Sequence, residues 1–132
     1  MIVADTSAIC AMAFGEPERD ALVQAIEQAD RVLISTVSVL ETRMVVHGRR
    51  GERAVVLVDD LLRLPRFQWV APGPAETEAA DAALGAFGKG SGHPASLNFG
   101  DVFSYALAKV RGLPLLYKGE DFAHTDIPSA LA

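Results

Sequence analysis

The sequence predicts an α/β fold: one domain with a mainly parallel central sheet of four to five strands, flanked by helices. Three observations carry this. Short runs rich in Val, Ile and Leu alternate with longer segments of helical period, the pattern of βαβ units. The chain has 132 residues, about one domain, and is 50% hydrophobic, enough to bury a real core. Glycine and proline punctuate the segment ends, and nothing marks a second domain, an internal repeat or a low-complexity tail, so residues 1–132 read as one unit.

Taken in order, residues 1–4 (MIVA) read as a strand, and Asp5-Thr6-Ser7 starts a helix running to about Phe14. Gly15 and Pro17 break it. A second helix covers about 18–29, with Ala21, Leu22, Ala25, Ile26 and Ala29 spaced as one buried stripe. Residues 31–35 form the next strand. Ser38-Val39-Leu40-Glu41 then has the form of a capping box opening a helix, which Gly48 to Gly51 interrupt. Residues 52–64 make another helix, with Val55, Val58, Leu61 and Leu62 on one face, and Pro65 ends it. Phe67 to Val70 give a third strand, in which Trp69 is expected in the core. Pro72-Gly73-Pro74 is a turn before an alanine-rich helix at about 75–87. Residues 88–94 hold three glycines and read as a flexible loop. A helix at about 99–111 closes at Gly112 and Pro114, a strand follows at about 114–117, and a turn or short helix at 120–123 precedes an edge strand near Ile127.

Composition narrows the functional classes. No apolar run approaches the ~20 residues that span a bilayer, and the N-terminus lacks a basic leading segment, so neither a membrane anchor nor a secretion signal is expected. The single cysteine, Cys10, fits a reducing cytoplasm and a small core residue. A net charge of −5 argues against broad, sequence-blind nucleic-acid binding. It does not exclude a nuclease, because carboxylates gathered around a divalent cation inflate the negative count. Arg43, Arg49, Arg50, Arg53, Lys89 and Lys118 are the bases available to phosphate or to an acidic partner, with a solvated helix face as the alternative for Arg43 to Arg53.

Four acids stand where strands hand over to helices: Asp5, Glu41, Asp101 and Asp121. In a parallel α/β sheet the carboxyl ends of strands and the starts of helices converge on one rim. Each acid has a local alternative. Asp5 suits a helix N-cap, Glu41 completes the capping box with Ser38, Asn98-x-x-Asp101 repeats that device, and Asp121 suits the start of a short helical turn. Capping, however, is local and predicts no convergence. Four carboxylates on one rim repel one another unless a cation shares them. Mg²⁺ and Mn²⁺ prefer such oxygens, and a phosphodiester-cleaving enzyme uses them to activate water and offset phosphate charge. Thr6 and Ser7, beside Asp5, offer hydroxyls to a carboxylate or a bound water, or else to the helix cap.

Ile2-Val3-Ala4-Asp5-Thr6-Ser7-Ala8, Ser38-Val39-Leu40-Glu41, Leu97-Asn98-Phe99-Gly100-Asp101 followed by Ser104-Tyr105-Ala106-Leu107-Ala108, and the stretch from Leu115 through Lys118-Gly119-Glu120-Asp121-Phe122 to Ile127 together resemble the PIN-domain ribonucleases. The likeness is greatest to the VapC toxins of bacterial toxin–antitoxin pairs and covers essentially the whole chain. The resemblance implies an endoribonuclease dependent on Mg²⁺ or Mn²⁺ and silenced by a cognate VapB-type antitoxin lying across the active cleft. It implies Asp5 and Asp101 as principal metal ligands, Glu41 as the third acid and Asp121 as the fourth, beside Glu120 and Asp126. Thr6, Ser7 and Asn98 then support the acids from behind, and Asp126 caps the terminal turn. It further implies RNA as substrate, a homodimer and a cytoplasmic setting.

Rival readings follow from the same residues. A phosphoryl-transfer hydrolase with Asp5 as nucleophile usually carries a second aspartate two positions on, where this chain has Ser7. A PIN-like binding module without catalysis has no reason to keep costly clustered carboxylates. His93 reads as a solvent-exposed loop histidine, with contact to RNA phosphate as the alternative, while His124 and His47 read as structural and surface residues.

Overall fold

The computed structural model describes residues 1–131. Four parallel strands, β1 (Ile2–Ala4), β2 (Val32–Ser35), β3 (Phe67–Val70) and β4 (Leu115–Leu116), lie in the order β3-β2-β1-β4. Between them run α1 (Thr6–Ala13), α2 (Arg19–Gln28), α3 (Thr36–Arg50), α4 (Glu52–Leu62), α5 (Pro74–Phe87) and α6 (Phe99–Arg111), with a 3₁₀ turn at Phe122–His124. The chain moves outward from β1 to β2 and β3, then returns to lay β4 on the opposite side of β1. The winding direction reverses between β1 and β4, and the crevice beyond their carboxyl ends is where such sheets bind ligands.

β1, β4 and β2 up to Ile34 are apolar and largely buried because both faces are covered, whereas edge strand β3 leaves Gln68 and Trp69 exposed. Alternation assigns each residue to a side. Ala4, Val32, Ile34 and Leu116 pack with α1 to α4, whereas Val3, Leu33 and Leu115 pack with α5 and α6. Leu22, Ile26 and Ala29 bury the α2 stripe, while Ala21 lies exposed at its edge. Val58 and Leu62 bury the α4 face, flanked by half-buried Val55 and Leu61.

Several expectations are corrected. The third helix begins at Thr36, with Ser35 rather than Ser38 as its cap: the Ser35 hydroxyl accepts from the Val37 N–H at 3.2 Å. Glu41 is therefore in the second turn and is released from any capping duty. Gly48 does not interrupt α3. A lone glycine costs a helix only ~1 kcal/mol, and the break waits for Gly51, whose φ of 80° ends the helix. The fifth strand reduces to one bridge between Leu115 and Ser129, because β4 itself spans two residues. Residues 88–97 are tied down rather than loose: Lys89 N–H donates to the Leu97 carbonyl at 2.7 Å and Leu97 N–H to that of Phe87 at 2.9 Å.

Trp69 is not a core residue. Edge strand β3 leaves it 36% exposed, its indole N–H bonded to the Leu62 carbonyl at 2.9 Å and its ring facing Arg43 and Arg63. Asp126 caps no turn. It accepts from the Tyr105 hydroxyl at 2.5 Å and pairs with the Lys109 ammonium at 2.6 Å, fastening the C-terminal segment to α6. No helix among the described residues is long and apolar enough to cross a membrane.

Candidate active site

Asp5 is the first residue beyond β1, and its main chain is still tied to β4 through an N–H bond to the Leu116 carbonyl at 2.9 Å. The side chain is only 2% exposed. One oxygen, Oδ2, accepts from the Ser7 N–H at 2.9 Å and caps α1. The other, Oδ1, is buried with no hydrogen-bond partner. Half the carboxylate thus caps a helix, as the local reading expects. The free half is a buried acceptor of a kind that is expensive to leave unpaired.

Asp101 sits in the first turn of α6, in a true capping box. Its N–H donates to Asn98 Oδ1 at 2.9 Å, and the Asn98 N–H donates to Asp101 Oδ2 at 3.0 Å. Asn98 therefore orients Asp101 directly. Burial pushes the Asp101 carboxyl up to about 6, against the Asn98 N–H, which holds it down, and with the charges of Asp5, Glu41 and Asp121 adding to the rise. The four acids separated in sequence lie within one electrostatic field. Cys10, buried in α1, reports the same field: burial first, then Asp5 and Glu41, raise its thiol to about 11, with Arg49 opposing.

Glu41 reaches this point through a gap left by glycine. A Cβ built on Gly100 would stand 2.1 Å from Glu41 Oε2 and 2.8 Å from Oε1, so the carboxylate occupies the space a side chain would need. Gly100 was not singled out in the sequence, although a glycine within the first turn of a helix signals close approach by a neighbour. Asp121 is exposed and makes no capping bond, contributing charge from the outer side. A cleft of about 340 Å³ opens beside these acids, lined by Glu41, Asn98 and Gly100 with apolar Val37, Leu40, Met44 and Phe99.

The supporting residues act differently from expectation. The Thr6 hydroxyl donates to the Ser38 carbonyl at 3.2 Å and touches no carboxylate in this arrangement. Ser7 serves Asp5 through its N–H, while its hydroxyl accepts from the Lys118 N–H at 3.1 Å and holds the loop after β4. Lys118 turns its ammonium to Glu16 and Glu18. Arg43 pairs with Asp59 at 2.7 Å, and Arg49 and Arg50 lie against Phe14, while Arg53 and Lys89 are exposed. His93 Nδ1 accepts from the Ala95 N–H at 3.1 Å, and the ring packs edge-on to Phe87, a structural duty. His47, Glu120 and His124 are exposed.

Among the described residues no three His, Cys, Asp or Glu side chains already form a metal-ligand group. The donor chemistry nevertheless fits a hard divalent cation. An orphaned buried oxygen on Asp5, a carboxyl on Asp101 raised first by burial and then by neighbouring acids, and a glutamate seated in a glycine notch are all oxygen donors of one sign.

Comparisons with known proteins place the chain by sequence and by fold. The family model described as PIN domain matches residues 2–128. The chain is 46% identical to Ribonuclease VapC30 of Mycobacterium tuberculosis over 126 residues, covering 96% of this chain and 95% of that protein. Among solved structures, it resembles M. tuberculosis VapC20, described as a sarcin–ricin loop cleaving toxin, with a TM-score of 0.79 at 20% identity and 96% of each chain covered. It also resembles a toxin–antitoxin complex from Klebsiella pneumoniae, with a TM-score of 0.67 at 19% identity, covering 93% of this chain and 91% of that one.

Two outcomes follow from the geometry. Gly100→Ala is expected to leave the melting temperature unchanged or slightly raised, since Ala favours a helix by ~0.5–1 kcal/mol over Gly and only the tip of Glu41 must move. The same variant should weaken binding of Mn²⁺, measured by titration calorimetry; unaltered affinity would refute the notch. The second concerns pH. Asp101 has a folded value of about 6 against an ordinary 3.8, so its contribution favours folding below the ordinary value and is lost as pH rises through about 6. In metal-free buffer, the stability gain from Asp101→Asn should therefore grow between about pH 4 and pH 7. A gain flat with pH in paired denaturant melts would contradict the assignment.

Proposed function

The chain belongs to the PIN-domain family and, within it, to the VapC ribonucleases; from that premise we propose that it is the toxin of a VapBC-type pair, an endoribonuclease that hydrolyses RNA phosphodiester bonds with the help of Mg²⁺ or Mn²⁺. The observation that carries this reading is the oxygen of Asp5 that lies buried and unpaired just beyond β1, while Asp101 feels the charges of Asp5 and Glu41. Asp5 and Asp101 are the principal candidates to hold the cation, with Glu41 beside them and Asp121 on the exposed side. When bound, such a cation supplies an activated water and offsets charge at the phosphate.

The chain's own residues do the rest. Ser7 N–H fixes Asp5 so that Oδ2 is spent on the helix and Oδ1 faces inward. Asn98 N–H holds Asp101 Oδ2 and leaves Oδ1 for the site. Without a counter-ion, the acid cluster repels phosphate, so substrate approach is coupled to neutralising that charge. Lys118 and Arg43 are engaged in ion pairs, with Glu16 and Asp59 respectively.

The partner readings rest on surfaces. A trough of about 420 Å³ between α1, α2 and α4, walled by Ile9, Met12, Val58 and Leu61 with exposed Leu57 and Leu64 at its mouth, suits an apolar antitoxin segment. Leu40, Met44 and Phe99, the last 70% exposed, form an apolar rim beside Glu41 that suits a second copy of the chain.

Asp5→Asn and Asp101→Asn should each fold and each lose metal-dependent RNA cleavage by more than about 100-fold, beyond what indirect support of a metal site usually costs. Undiminished cleavage by both, assayed with Mg²⁺ present, would remove the mechanism. Sedimentation of the chain alone should give a dimer, and adding its cognate VapB-type antitoxin should enlarge the complex and suppress cleavage. A monomer would eliminate self-association at the Phe99 rim, and persistent cleavage in the complex would eliminate inhibition.

A further inference from the structure

We propose that Ser38 and Ser104 are positioning residues: their buried hydroxyl pair sets the spacing of the Glu41 and Asp101 carboxylates, and this inference rests on the divalent-cation reading above. Both serines are 0% exposed, and their Oγ atoms lie 3.0 Å apart. Ser38 precedes Glu41 by three residues on α3, and Ser104 follows Asp101 by three on α6, so each shares a helix face with its acid. A second contact lies one turn away, where the Glu41 carboxylate fills the space beside Gly100. One contact leaves two helices free to pivot. Two contacts a turn apart hold both their separation and their angle.

The same serine ties in the third acid. The Ser38 carbonyl accepts from the Thr42 hydroxyl at 2.7 Å and from the Thr6 hydroxyl at 3.2 Å. Thr6 is the first residue of α1 and follows Asp5 directly. The segments bearing Asp5, Glu41 and Asp101 thus meet at one residue, inside the protein and below the carboxylates. Alanine at both serine positions would fill nearly the same volume with no polar atom to satisfy. Apolar contact is non-directional and tolerates sliding, whereas a hydroxyl bond is made over a narrow range of distance and angle. Mg²⁺ demands near-ideal geometry, so a directional tie beneath its candidate ligands has a use that the core does not require.

The test uses the full chain with Ser38→Ala, Ser104→Ala and the double variant, reading unfolding temperature, Mn²⁺ affinity by electron paramagnetic resonance, and cleavage kinetics against metal concentration. The expected result is a folded protein whose Mn²⁺ dissociation constant rises by about tenfold or more, the usual effect of losing a residue behind a metal ligand. Cleavage should fall at low metal and recover as metal is raised, with KM for RNA unchanged. Because both substitutions remove one bond, the double variant should weaken metal binding no further than either single. Should Ser104→Ala melt below assay temperature, Ser104→Cys keeps the shape with a poor hydrogen-bonding group and should show the same loss.

Folded variants with wild-type Mn²⁺ affinity would overturn the proposal while leaving the ribonuclease reading intact. A wild-type chain that binds no Mn²⁺ would overturn both. Mn²⁺ binding that weakens as expected in a chain unable to cut RNA would support the positioning role and sink only the ribonuclease assignment.

Discussion

Like charge held at close quarters is the constraint on which this molecule turns. Asp5, Glu41 and Asp101 come from three separate segments, and the carboxyl of Asp101 is raised to about 6 by burial first and then by the charges of its acidic neighbours. Packing must hold these groups against that repulsion. The parallel sheet supplies the delivery, because strand ends and helix starts point to one side. The α3–α6 contact supplies the restraint.

That restraint is built from small residues. Gly100 admits the Glu41 carboxylate, and Ser38 and Ser104 let the helices approach while joining them. The core on either side of the sheet is mainly aliphatic packing. Beneath the acids it becomes polar, with Thr6, Ser38, Thr42 and Ser104 all buried. Burying hydroxyls is costly unless each finds a partner, and here each one does.

Capping and site formation turn out to be one structure rather than rival explanations. Asp5 caps α1 with one oxygen and keeps the other free. Asp101 and Asn98 form a reciprocal box that fixes the carboxylate while satisfying the helix start. Glu41 is the exception, since the helix begins earlier than the Ser38 pattern suggests and Ser35 takes the cap. A strand ending in a capping-competent Ser35 outcompetes the later serine, which is drawn inward instead.

The alternation of apolar runs with helical stripes was legible in residue order, because periods of two and 3.6 are local consequences of backbone geometry. So were the position of Asp5 at the end of β1 and the caps around Asp5 and Asp101. Other features depended on what lies opposite in space. Trp69 reads as core until β3 proves to be the edge strand. Residues 88–94 read as loose until Leu97, just beyond them, pairs back to Phe87 and Lys89. Sequence alone determined the fold class, the acids and their family. Only the tertiary structure decided that Gly100 faces Glu41 and Ser38 faces Ser104, because no local rule relates residues some sixty positions apart until two helices pack.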